Sequence, residues 1–189
     1  DFTFDTACLG LPTQYTDLSS PNAYDLVSWD WTFGDSDVSM EQNPIHTFTT
    51  SGTFTSQLMV SDAWGCRDSI QHVVNVYDNP VAHFIYSDTS CSSGLVYFTD
   101  SSYHIEDIGI NEVLWSIDGF ITAEQDPQYI FPVVDMSYSV SLIATDERGC
   151  MDTTETEIFI PSELAVTFLA DTVCYGEATM LVARATKPD

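Results

Sequence analysis

The chain has 189 residues, of which 29 are acidic and only 4 basic, giving a formal charge of −25. That imbalance excludes the cationic face that nucleic acids and anionic lipid surfaces require. Apolar residues make up 44% and aromatics 13%, too much hydrophobic material for a disordered acidic tail, so a folded chain is expected. No apolar run approaches the roughly 18 to 20 residues that a membrane-spanning helix needs, and no membrane insertion is expected. A start at Asp1 rather than Met is what a mature or internal piece of an exported precursor would show.

A repeat organises the chain. The phrase Asp5-Thr-Ala-Cys8 returns as Asp88-Thr-Ser-Cys91 and again as Asp171-Thr-Val-Cys174, 83 residues apart each time. In the first copy, alternation at Phe2 and Phe4 predicts an opening strand and Thr13 to Thr16 a second. A tryptophan strand follows, Val27 to Phe33, running into the turn Gly34-Asp35. The phrase Asn43-Pro-Ile-His-Thr-Phe48 comes next, and its proline excludes a central paired position. Gly52 to Asp62 then alternates with period two, turns at Asp62-Ala-Trp-Gly-Cys66, and continues as a partner strand from Ser69 to Val76, the pattern of a β-hairpin.

The second copy repeats this order. Phe84 and Tyr86 open it, Leu95 to Thr99 follows, and Val113 to Ile117 carries Trp115 into Asp118-Gly119. Asp126-Pro-Gln-Tyr-Ile-Phe131 is its proline phrase, and Met136 to Asp146 with Thr153 to Ile160 is its hairpin, closed by Asp146-Glu-Arg-Gly-Cys150. A third copy contributes two strands, around Val166 and Phe168 and from Ala178 to Ala183. Turn residues every 8 to 12 positions and the lack of helical periodicity predict an all-β chain of antiparallel sandwiches, about seven strands each. The expected domains are 1–77, 78–161 and an incomplete third repeat at 162–189, joined by short proline-bearing junctions that favour a semi-rigid string. Two strands without the rest of their sandwich leave open edges, so either further chain or strand donation to a copy of itself is expected to complete the 162–189 segment.

Trp31-Thr-Phe-Gly-Asp35, Asn43-Pro-Ile-His-Thr-Phe48 and Gly52-Thr-Phe-Thr-Ser-Gln-Leu-Met-Val60 together resemble the PKD (polycystic kidney disease) domain family. The second copy keeps Trp115, Pro127, Phe131 and the Tyr138 to Leu142 strand, but carries Ile117-Asp-Gly119, Tyr129 and Met136 where the pattern has Phe-Gly-Asp, His and Gly. The resemblance implies tandem immunoglobulin-like sandwiches, mostly non-catalytic, working outside cells as spacers, adhesive modules or accessory domains of secreted hydrolases. The added Asp-Thr-x-Cys and Gly-Cys-x-Asp phrases look like the repeats of very large surface proteins in gliding and other Bacteroidetes-type bacteria. A non-enzymatic role follows, as the shaft of a bacterial cell-surface adhesin or a subunit of an extracellular filament. The alternative is an accessory module, binding substrate or carbohydrate, of a large secreted hydrolase.

Five cysteines are present: Cys8, Cys66, Cys91, Cys150 and Cys174. Equal placement in equal copies, with separations of 58 and 59 residues, makes Cys8 with Cys66 and Cys91 with Cys150 the economical pairing, leaving Cys174 unpaired within this chain. Such bridges belong to an oxidising, extracellular setting. Free core thiols are the competing reading, and zinc is disfavoured because no Cys-x-x-Cys spacing occurs.

Trp29, Trp31 and Trp115 read better as core than as sugar platforms. His46 reads as a hydrogen-bonded structural residue near the Asp35 turn. Asp35 and Asp37 resemble the start of an oxygen-ligand loop, and Asp62 and Asp146 recur before the Gly-Cys turns, so these four are the candidate ligands if Ca2+ binds. Asp62 and Asp146 read equally well as caps whose carboxylates accept backbone N–H bonds. No cofactor is otherwise expected. Asp5-Thr-Ala, Asp68-Ser-Ile, Asp152-Thr-Thr and Asp171-Thr-Val resemble the O-glycosylation phrase of Bacteroidetes, making Thr6, Ser69, Thr153 and Thr172 candidate glycan acceptors beside the plainer reading of ordinary strand hydroxyls. Gly-x-Ser-x-Gly, His-Glu-x-x-His and phosphate-loop motifs are absent from the sequence.

Overall fold

The structure is a computed structural model that describes residues 1–21, 24–87 and 94–162, together with the backbone of two strands beyond them. Among the described residues the strands are, in chain order, β1 (Phe2–Phe4), β2 (Ala7–Cys8), β3 (Pro12–Asp17), β4 (Leu26–Thr32), β5 (Val38–Ser39), β6 (Ile45–Thr47), β7 (Gly52–Asp62), β8 (Arg67–Tyr77), β9 (Phe84–Tyr86), β10 (Leu95–Asp100), β11 (Ile110–Ile117), β12 (Phe120–Thr122), β13 (Gln128–Ile130), β14 (Met136–Asp146), β15 (Met151–Ile160), β16 (Ala165–Ala170) and β17 (Leu181–Thr186). The described residues contain no helix. The fold is the expected all-β, immunoglobulin-like one.

The chain divides into two compact units, one of residues 1–81, 103–111 and 144–152, the other of 82–102, 112–143 and 153–189. In the first copy the sheets are ordered β1-β3-β6 and β2-β8-β7-β4-β5. Phe2 and Tyr15 from the one meet Trp31, Leu58, Val74 and Val76 from the other in a single buried cluster with Phe33 and Phe48. The period-two pattern of β7 explains this: alternate residues face the cluster while Thr53 and Thr55 stay exposed. Its pairing with β8 runs without slippage from Gly52↔Val76 to Ser61↔Arg67.

One feature departs from the antiparallel expectation. The opening strand splits after Phe4, and Ala7–Cys8 crosses to the second sheet, where it lies parallel to the end of β8 through Ala7↔Val76 and Cys8↔Tyr77. The sheet is therefore mixed. Ala7 and Cys8, 1% and 4% exposed, bury apolar side chains there, which an edge position on the first sheet would leave in water.

The second copy shows the same plan in the orders β13-β10-β9 and β12-β11-β14-β15. Phe84 and Phe98 pack on Trp115 with ring centroids 5.1 and 5.6 Å away, and Val140, Leu142, Ile158 and Ile160 are buried. Both proline phrases lead into edge strands, β6 and β13, where the lost N–H is tolerated. Beyond Ser162, β16 and β17 pair antiparallel from Ala165↔Thr186 to Ala170↔Leu181.

Candidate functional site

Gly34 takes φ +93°, and a Cβ there would stand 2.9 Å from both the backbone N and O of Thr55, so this turn needs glycine. The turn closes through Phe33 N–H donating to Asp37 O (3.2 Å) and Asp37 N–H donating to Asp35 Oδ1 (3.1 Å). His46, carried by β6 and 7% exposed, stacks on Phe33 with centroids 4.0 Å apart and meets the edge of Phe48 at 4.5 Å. Its Nε2 lies 2.7 Å from Asp35 Oδ2. The expected hydrogen bond between His46 and the Asp35 turn is thus present.

Asp35, Asp37 and His46 offer ligand atoms within 4.8 Å of one another. Two carboxylates and one imidazole are a poor match to Ca2+, which takes six to eight oxygens. A short carboxylate–imidazole bond that pins a turn is the chemistry this arrangement supplies directly.

Asp62 and Asp146 are not drawn into that group. Each caps its own turn. Asp62 Oδ1 accepts from Trp64 N–H (2.9 Å) and Cys66 N–H (3.0 Å), and Asp146 Oδ1 accepts from Arg148 N–H (2.9 Å) and Cys150 N–H (2.8 Å). Gly65 and Gly149 supply matching positive φ values of 86° and 90°. The repeated Asp-x-x-Gly-Cys spelling encodes one turn twice.

The cysteine pairing differs from the expectation. Cys8 is bonded to Cys150 across a sequence separation of 142, not to Cys66, and Cys150 is therefore not bonded to Cys91. Strand geometry gives the reason. Cys8 lies beside Tyr77 at the far end of β8, whereas Cys66 immediately precedes Arg67 at its start. Eleven residues of strand span about 35 Å, far beyond the roughly 7 Å Cα limit for a disulfide. Cys66 is a free, exposed thiol, while Cys91 and Cys174 lie outside the described residues.

Trp31 and Trp115, 1% and 0% exposed, are core residues. Trp29 packs half-buried against the first cluster and donates Nε1–H to Asp17 Oδ2 at 2.6 Å. Burial alone would raise the Asp17 carboxyl, but hydrogen bonds from Ser19, Trp29 and Gln42 outweigh it and hold that carboxyl below its ordinary range. Burial pushes the Tyr15 hydroxyl up, opposed by its hydrogen bond to Ser56. Among the glycan candidates, Thr6, Ser69 and Thr153 are exposed; Thr172 lies outside the described residues.

Two groups have surroundings that only the structure shows. His104 is fully buried against Asp146. Glu106 N–H donates to its Nδ1 (3.1 Å), so Nε2 carries the proton and donates to Asp78 O (3.1 Å), with Asp146 Oδ2 at 3.8 Å. Trp64, in the first Gly-Cys turn, is 74% exposed and lies 5.2 Å from the ring of Tyr24. Tyr24, Asp62, Cys66 and Arg67 line a cleft of about 450 Å³.

Several known proteins are similar to part of this chain. Collagenase ColA of Bacillus cereus is 38% identical over 55 residues, which is 29% of this chain; the chain spans about 6% of the collagenase's length. The PKD1 domain of the Vibrio cholerae metalloprotease PrtV is 28% identical, with 44% of this chain and 99% of that domain covered and a TM-score of 0.39. The PKD1 domain of Vibrio anguillarum Epp is 26% identical over 44% of this chain and 94% of its own, also at 0.39. The family model of the PKD domain matches residues 2–76. The first copy is a member of the PKD domain family.

Proposed function

We infer that this chain is a non-catalytic extracellular module, a length of the shaft of a bacterial cell-surface adhesin or filament. The observation that carries this reading is the bond from Cys8 in the first copy's Asp-Thr-x-Cys phrase to Cys150 in the second copy's Gly-Cys turn. A covalent tie between successive copies suits a part whose task is reach and resistance to unravelling, and a disulfide suits an oxidising compartment. Dispersed acidity, with O-glycans on Thr6, Ser69 and Thr153, would keep such a surface soluble, and donation of a strand from the 162–189 segment to a neighbour would join copies end to end. Electron microscopy and unreduced mass spectrometry of material from the source test the reading. Long strings or fibres bearing hexose on those hydroxyls are expected; a compact secreted particle with an active catalytic domain on the same polypeptide would refute it.

A second reading, an accessory module of a secreted hydrolase, is favoured by the similarity to a collagenase and to a metalloprotease domain. It predicts co-sedimentation with insoluble collagen or polysaccharide, weakened at least tenfold by Trp64→Ala. No binding by the intact chain would dispose of it.

A further inference from the structure

We propose that the first Gly-Cys turn, with Cys66 and Trp64 at its centre, is a docking surface for a preceding repeat of the same kind, and that Cys66 forms a disulfide with the cysteine of that repeat's Asp-Thr-x-Cys phrase. The two turns of this chain match bond for bond. Asp62 N–H donates to Cys66 O (3.0 Å) as Asp146 N–H does to Cys150 O (2.9 Å), and Gly65 N–H donates to Asp62 O (3.0 Å) as Gly149 N–H does to Asp146 O (3.1 Å). The residue after each Asp is anchored alike, Ala63 N–H to Asp25 O (3.3 Å) and Glu147 N–H to Gly109 O (3.2 Å). Backbones so alike present their cysteines alike.

Their surroundings are not alike. The second turn is covered: Cys150 is fully buried and bonded to Cys8, and Arg148 lies 4.3 Å over the Tyr77 ring while pairing with Glu106 at 2.9 Å. In the first turn Cys66 is exposed and unbonded, and Trp64, at the position of Arg148, is 74% exposed beside Tyr24 and the cleft described above. An indole and a phenol left in water beside a free thiol form an apolar patch. What covers the second turn is the start of the copy before it, the Cys8 phrase alongside the end of β8. The occupant that fits the first turn by the same geometry is the corresponding phrase one period upstream, with Trp64 packing on the end of that repeat's last strand. This rests on the tandem-module reading but not on a shaft or adhesive role.

The bond forms by thiol–disulfide exchange. The Cys66 thiolate attacks the disulfide of an exchange partner such as oxidised glutathione, displacing one thiolate. The thiolate of the docked phrase then displaces the second, so two thiols lose two protons and two electrons and the exchange disulfide is reduced to two thiols.

The test extends the intact chain by one period, a duplicate of residues 1–83 carrying Cys66→Ser fused ahead of Asp1. After refolding in a glutathione redox buffer, native alkylation of Cys66 is expected to fall at least tenfold relative to the unextended chain. Unreduced peptide mapping should join Cys66 to the duplicate's Cys8, with the Cys8–Cys150 link of the original copy retained. Cys66 fully alkylated beside an intact Cys8–Cys150 link overturns the proposal. A second arm needs no extension. Cys150→Ser releases Cys8, and oxidising that variant with the parent chain should give intermolecular Cys66–Cys8 links at least tenfold over Cys66–Cys66; an even mixture overturns it equally. Failure of both arms leaves the fibre and binding experiments on the proposed function untouched, so the two ideas fall separately.

Discussion

Replacing Cys8 and Cys150 together by alanine removes a cross-link of sequence separation 142. On the chain-entropy model a loop of that length stabilises by about 5 kcal/mol at 25 °C, an upper figure because the unfolded reference retains structure. With a urea dependence of roughly 1–3 kcal/mol per molar, that upper figure lowers the midpoint by about 2 to 5 M. The assay is urea unfolding of parent and variant followed by tryptophan fluorescence, with hydrogen exchange on peptides from β7, β8 and β14 to locate the loss. Adding reductant to the parent should reproduce the variant's curve. Cys66→Ala, at an exposed free thiol, should move the midpoint by less than about 0.5 kcal/mol's worth. If reduction leaves the midpoint unmoved, or Cys66→Ala reproduces the double variant, the Cys8–Cys150 assignment and the reasoning from the length of β8 are both wrong.

Gly34→Ala should cost about 2 to 5 kcal/mol, combining the left-handed backbone with a Cβ forced onto Thr55; a melting point lowered by at least roughly 10 °C in circular dichroism checks it. His46→Phe keeps the stack on Phe33 but loses the bond to Asp35, costing about 1.5 to 3 kcal/mol; a double-mutant cycle with Asp35→Asn should return most of that as coupling. Asp17, held below its ordinary pKa in the folded chain, contributes stability above its unfolded pKa of about 4 and loses it as pH falls through the lower folded value. Asp17→Asn should therefore flatten the acid limb below about pH 4 while changing little of the slope at pH 7; parallel acid limbs in parent and variant would contradict this. Two carboxylates and one imidazole match Ca2+ poorly, so a Ca2+ titration should shift the melting point by under about 1 °C, and a larger rise would restore Asp35 and Asp37 as ligands.

The hairpin β7–β8, the burial of Trp31 and Trp115 and the His46–Asp35 bond are legible in the sequence because each rests on local rules: period-two alternation, a glycine turn and a short polar phrase. The cysteine pairing is not of that kind. Separations of 58 and 59 residues are equal whether the cysteines bond within copies or between them, because a repeat preserves every internal distance. The discriminating quantity was the length of β8, which puts Cys8 and Cys66 at opposite ends of one strand. The strand itself is legible from Ser69 to Val76, but nothing local in the sequence places Cys8 beside its far end. The crossing of Ala7–Cys8 to the second sheet depends on tertiary burial, and two residues are too short a run for any periodicity to register. His104 stands where the first copy has Pro21, so the repeat that revealed so much else had nothing to align with it.

The Cys8–Cys150 bond also fixes how far the polypeptide can lengthen when its two ends are pulled apart. Fully drawn out, 189 residues would reach roughly 660 Å at about 3.5 Å each. With residues 8 and 150 held 5.5 Å apart at their Cα atoms, only the roughly 47 residues outside the loop can extend, to about 160 Å. Tension entering at one terminus and leaving at the other passes through two sulfur atoms and skips the whole of the first hairpin and the β14 arm of the second, so β7, β8 and β14 can lose their pairing without adding length between the ends.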